Sequence, residues 1–113
     1  TEAGKKHTLL RDFDQEKKLH ATHNDHIETL PGSCELLAYN DNTAVQAFHY
    51  QNFFATQFHP DIPLHEIEGL LNGRKEKYQA SGVIRDEAHF AQTKEDLKLG
   101  RAGYEILARF LSL

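Results

Sequence analysis

Short apolar runs broken by turn residues fill the middle of the chain, and apolar residues at helical spacing fill its second half. Residues 35–39 are apolar apart from the leading Glu35. Pro31-Gly32 bounds them on one side and Asn40-Asp41-Asn42-Thr43 on the other, both of them turn signals. That run has the length of a strand. Residues 44–50 alternate roughly in the period of two that a half-buried strand shows. Gln51-Asn52 predicts a tight reversal into residues 53–58, an aromatic run suited to a pleated surface. Three strands joined by short turns make an antiparallel meander, and a further strand is expected around residues 20–27.

Residues 1–18 are polar and charged, with Leu9, Leu10 and Phe13 as apolar anchors, and read as a loop followed by a short helical turn. Pro60 and Pro63 close the β section. A helix is expected to begin near Pro63, because proline fits the first helical turn. Leu64, Ile67, Leu70 and Leu71 recur at helical spacing before Gly73. Residues 72–85 are polar and contain Gly82, where the helix should fray or bend. Residues 86–111 read as one helix, ending in an apolar stripe of Ala102, Ile106, Leu107, Phe110 and Leu111. There is no internal repeat.

A chain of 113 residues can make one small domain or part of a larger one. Its 39% hydrophobic and 27% charged content is that of a globular domain, not of a disordered tail. Net charge is −4, and residues 19–65 hold five acids and six histidines but no Lys or Arg. Nucleic-acid phosphates require cationic side chains, so that class of partner is not expected. Apolar runs stay well short of the roughly 18–20 residues that cross a bilayer, so no membrane partner is expected. The single cysteine, Cys34, excludes an internal disulfide and suits a reducing compartment, the cytoplasm by expectation. The sequence lacks methionine, as expected of a chain whose natural start is not Thr1.

Residues 55–61, Ala-Thr-Gln-Phe-His-Pro-Asp, carry the most chemistry. An apolar strand ends in His59, Pro60 stops the ladder, and Asp61 follows two residues after the imidazole. A carboxylate there can accept a hydrogen bond from one ring nitrogen, which selects the tautomer and stabilises the imidazolium of a general base. The bland alternative is that His59 caps a strand and Asp61 starts a turn. His20, His23 and His26 invite a metal reading. A strand, however, puts His20 and His26 on one face and His23 on the other, and no partner motif completes a ligand set. No metal or cofactor is expected. Cys34 enters a strand beside Glu35, an anion that raises a thiol's pKa, so it reads as a small semi-buried hydrophobe, not a nucleophile.

Taken in order, the motifs resemble a known family. Residues 23–31 are similar to the H-x-D-x-(V/I)-x-x-L-P segment of class I glutamine amidotransferases, and residues 55–61 to its G-V-Q-F-H-P-E. The strand residues between them, Leu36-Leu37-Ala38 and Val45-Gln46-Ala47-Phe48, keep the family's order and spacing. So does the terminal Ile106-Leu107-Ala108-Arg109-Phe110-Leu111.

The resemblance implies an α/β fold, the C-terminal part of a doubly wound, flavodoxin-like sheet with an antiparallel β extension and C-terminal helices. Residues 1–113 would form one such part. It also implies a Cys–His–carboxylate triad that releases ammonia from glutamine. His59 would be base and acid, with Asp61, where the family has Glu, as its orienting partner. Asn24 and Asp25 would help bind the glutamine α-carboxylate, with His23 structural beside them. The family's G-x-C-x-G nucleophile elbow is not among these residues, so the chain alone should be inactive. Its partners would then be the N-terminal half of the domain, glutamine, and a synthetase domain or subunit that accepts ammonia. Two alternatives stand beside this: a γ-glutamyl peptidase on the same scaffold, and a non-catalytic binding module.

Overall fold

The computed structural model describes residues 1–13, 17–100 and 102–113. Helix α1 (Glu2–Lys6) opens the chain, capped by the Thr1 hydroxyl, which accepts from the Gly4 amide at 3.0 Å. Turns follow through residues 8–12, so the order is helix then turns, the reverse of the expectation for this segment. Residues 14–16, the rest of that expected turn, lie outside the described residues. Gly4 packs so closely on the Leu37 carbonyl that a Cβ there would overlap it.

Strands β1 (Glu35–Ala38), β2 (Ala47–Tyr50) and β3 (Phe53–Thr56) form a three-stranded antiparallel sheet in the order β1-β2-β3. The turn before β2 is built by Asn40, whose side-chain oxygen accepts from the amides of Asn42 (3.0 Å) and Thr43 (2.8 Å). That is the local side-chain mimicry of a turn that makes Asn common there. Gln51 makes the β2–β3 reversal with a positive φ of 50°. Each strand is shorter than its sequence run. β2 begins at Ala47 after a shift of register in β1, and β3 ends at Thr56.

Past Thr56 the chain exchanges one partner for another. Gln57 still donates to the Gln46 carbonyl (2.8 Å), but Phe58 forms an isolated antiparallel bridge with Ala21. The expected strand at residues 20–27 is reduced to this bridge.

The helical half comprises α2 (Leu64–Gly73), α3 (Lys75–Ala80), α4 (Glu87–Leu97) and α5 (Gly103–Leu111). Pro63 occupies the N-cap of α2 as the sequence suggests. The helix expected over residues 86–111 is instead two helices separated near Gly100; Arg101, within that break, lies outside the described residues. Asp86 caps α4 by accepting from the His89 amide at 2.7 Å.

Two apolar clusters hold these elements. Leu9, Leu10, Leu37, Ala47, Phe58 and Ile106 form the first, between the sheet, the N-terminal segment and α5. Leu71, Ile84 and Phe90 form the second, among the helices, with Leu97 packed against it. Arg109 of α5 ties the ends of the chain together, donating to the carbonyls of Arg11 (2.5 Å) and Leu9 (3.4 Å). Of the terminal stripe, Ile106 is buried and Leu107 half-buried, while Phe110 and Leu111 stay exposed. Among the described residues no helix is long and apolar enough to cross a membrane.

Candidate functional site

His59 stands where the sheet ends. Its backbone amide donates to the His20 carbonyl at 2.7 Å, continuing the Phe58–Ala21 bridge by one residue. Its ring Nε2 points at the Thr22 carbonyl at 3.4 Å, and its Nδ1 lies 3.7 Å from Asp61 Oδ1. Neither contact is a full hydrogen bond, since 3.7 Å exceeds the range and 3.4 Å is at its edge. The His59 side chain is 36% exposed and that of Asp61 67%. Gly103, at the start of α5, lies against Pro60 and the His59 carbonyl so closely that a Cβ would crowd both.

The segment that receives His59 also carries the upstream motif. Two residues beyond Thr22, Asn24 and Asp25 are exposed in an irregular loop. His23 shapes that loop by donating from Nδ1 to the Asp25 carbonyl at 2.8 Å. The antiparallel bridge thus brings the two halves of the sequence pattern to one rim, with His59 against the backbone of residues 20–22.

The three upstream histidines take different places. His20 is buried, its Nε2 donating to the Leu97 carbonyl at 2.6 Å, while His23 and His26 are exposed. Among the described residues no cluster of three or more metal-ligating side chains occurs. Cys34 is a half-buried free thiol just before β1, its amide closing a turn onto the Pro31 carbonyl at 2.9 Å.

Two groups beside this rim have settings that the sequence did not reveal. One is His20, weighed there only as a metal ligand or strand residue, whose hydrogen-bond partner is 77 residues away and so leaves no local signal. The other is Tyr78 of α3. The Arg74 guanidinium lowers its phenol below the usual value, burial opposes this, and Thr22 adds a smaller lowering contribution.

A cleft of about 910 Å³ lies elsewhere. Leu10, Phe13, Leu19, Leu37, Phe58 and Gln46 are among its walls, and His59 is not. Gln46 buries a side-chain oxygen with no hydrogen-bond partner among the described residues.

No family model matches the chain, and no solved structure does. Its curated relatives are glutamine-hydrolyzing synthases, which defines the class of protein it is similar to. By name they are GMP synthases. The chain is 36% identical over 64 residues to the GMP synthase (glutamine-hydrolyzing) of Synechococcus, an alignment covering 55% of this chain and 12% of that protein. It is 31% identical over 96 residues to that of Sulfurimonas denitrificans, covering 83% and 18%. With a GMP synthase (glutamine-hydrolyzing) subunit of Methanosphaera stadtmanae it shares 32% identity over 60 residues, covering 51% and 32%. The chain therefore spans between 12% and 32% of the length of these relatives.

Proposed function

We propose that this chain is the C-terminal part of a class I glutamine amidotransferase domain, a doubly wound sheet whose antiparallel extension is β1–β3. The observation that carries the reading is the junction of the two motifs: His59 hydrogen-bonds through its backbone to His20 and faces Thr22 with its ring. Relatives that hydrolyse glutamine by name support the substrate.

In this reading a cysteine on another segment of the domain attacks the glutamine carboxamide. His59 takes the thiol proton and returns it to the departing ammonia, while Asp61 stabilises the imidazolium between those steps. Asn24 and Asp25 bind the α-carboxylate of glutamine, through the backbone that His23 holds in shape. The ammonia passes to a synthetase domain or subunit, and the protein works in the cytoplasm. Residues 1–113 alone do not hydrolyse glutamine, because Cys34 is not a suitably placed nucleophile. The cleft walled by Leu37 and Phe58 takes the remaining half of the domain.

The test is His59→Ala in the full-length protein. Glutamine-dependent synthesis should fall by several orders of magnitude, since triad members act as a unit, while ammonia-dependent synthesis is retained. Equal glutamine-dependent rates in the variant and wild type would remove His59 from the reaction. The 3.7 Å gap to an exposed Asp61 favours one second reading, a non-catalytic module that keeps the scaffold. In that case the full-length protein binds glutamine without turning it over.

A further inference from the structure

We infer that His20 is a positioning residue for His59, an anchor that fixes the base by tying its supporting strand to the helical layer. The inference rests on the amidotransferase reading for its reaction, and on geometry alone for its structural content. Residues 20–22 supply both carbonyls that hold His59, that of His20 on the backbone amide at 2.7 Å and that of Thr22 near the ring at 3.4 Å. Apart from its bridge to Phe58, this segment is otherwise irregular, and little in its own backbone keeps it in place. The His20 side chain does so instead.

It is buried and donates from Nε2 to the Leu97 carbonyl at 2.6 Å, near the end of α4. Leu97 packs against the second apolar cluster, so this bond joins the two cores through the backbone beneath His59. Gly100 lies so close that a Cβ would overlap the His20 ring. Gly103 repeats the arrangement three residues on, against Pro60 and the His59 carbonyl. The break between α4 and α5 therefore grips the segment of His59 on both sides. Leu97 O, near the end of its helix, also accepts from the Gly100 amide at 3.1 Å, so the His20 ring is a second donor on a carbonyl that the backbone already holds in place. A shift of His20 would break the segment's side-chain tie to that fixed carbonyl and move the Thr22 carbonyl away from the His59 ring.

Three variants of the full-length protein test this. In His20→Leu, kcat for glutamine hydrolysis should fall on the order of tenfold with KM little changed, the loss expected when a base is disoriented but substrate binding is not. His20→Gln, whose amide can also donate to Leu97, should stay within about threefold of wild type. A second readout does not depend on turnover: carbethoxylation of individual histidines by diethyl pyrocarbonate at fixed pH, followed by peptide mass. His59 should react about fivefold faster in His20→Leu, the effect of losing roughly one hydrogen bond, with the exposed His26 and His65 unchanged. An unchanged His59 rate overturns the inference. So does a uniform rise at all histidines with His20→Gln as impaired as His20→Leu, which would mark a general loss of structure. Should His20→Leu fail to fold, Gly100→Ala keeps donor and acceptor but crowds the ring, and it must give the same His59-selective rise or the inference falls. If His59→Ala leaves glutamine hydrolysis intact, the amidotransferase reading fails on its own, and the carbethoxylation rates still decide whether His20 positions His59.

Discussion

Lengthening Asp61 by one methylene should improve the proposed chemistry. The His59 Nδ1 to Asp61 Oδ1 separation of 3.7 Å allows charge attraction without a hydrogen bond. A further carbon–carbon bond adds about 1.5 Å of span, enough for Asp61→Glu to bring its carboxylate into the roughly 2.7–2.9 Å range of a charge-assisted bond. Such bonds contribute about 1.5–3 kcal/mol when shielded from water. Here the carboxylate is 67% exposed and the imidazole 36%. Screening brings the gain into the range of exposed ion pairs, about 0.5–1 kcal/mol. A gain of that size, expressed only as the imidazolium forms, raises kcat about two- to fivefold. Steady-state glutamate release by the full-length protein measures it. Asp61→Asn, similar in shape but uncharged, should lower kcat, though less than His59→Ala, because the base remains. Identical kcat in wild type, Asp61→Glu and Asp61→Asn would refute a role for Asp61.

A glutamine-analogue alkylator should leave Cys34 of the 113-residue chain unlabelled, and stoichiometric labelling seen by mass spectrometry would make Cys34 the nucleophile. Ile106→Ala, at a side chain 2% exposed in the first core, should cost about 2–5 kcal/mol in denaturant unfolding, whereas Leu111→Ala, at 76% exposure, should stay within about 0.5 kcal/mol. His7, stacked on Phe54 and edge-on to His49, is held below its ordinary value of 6.5 by burial and then by His49, with Glu35 opposing. The folded state therefore disfavours the charged ring. Its contribution to stability is full above pH 6.5 and is lost as pH falls through the lowered folded value. His7→Phe keeps a ring on Phe54 and should flatten the loss of thermal stability between about pH 7 and pH 5; an unchanged slope would clear His7.

The meander was legible because its signals are local. Asn40 makes its turn with its own side chain. The break between α4 and α5 was not, because the stripe from Ala102 onward continues the helical spacing and the closest neighbour of Gly100 is His20, far away in the sequence. The same distance hid the anchoring part of His20, which sequence alone could weigh only as a metal ligand or a strand residue. The strand expected at residues 20–27 failed for a related reason. Among the described residues only Phe58 forms a bridge with it, and a lone bridge does not make a ladder. The motif residues His59, Asp61, Asn24 and Asp25 were readable in order, but their mutual geometry, including the gap at Asp61, belongs to the fold.

The clasp of Arg109 on the N-terminal segment bears on the time course of folding. Its partners Arg11 and Leu9 are 98 and 100 residues away along the chain, and Ile106 enters a core otherwise drawn from the first 58 residues. Closing so large a loop costs entropy before any contact rewards it, so such pairings slow folding and tend to form late. The hairpins β1–β2 and β2–β3, closed by short turns, need no such search. Helix α5 is therefore the element expected to be least formed in the transition state, and lesions in it should hasten unfolding far more than they retard folding.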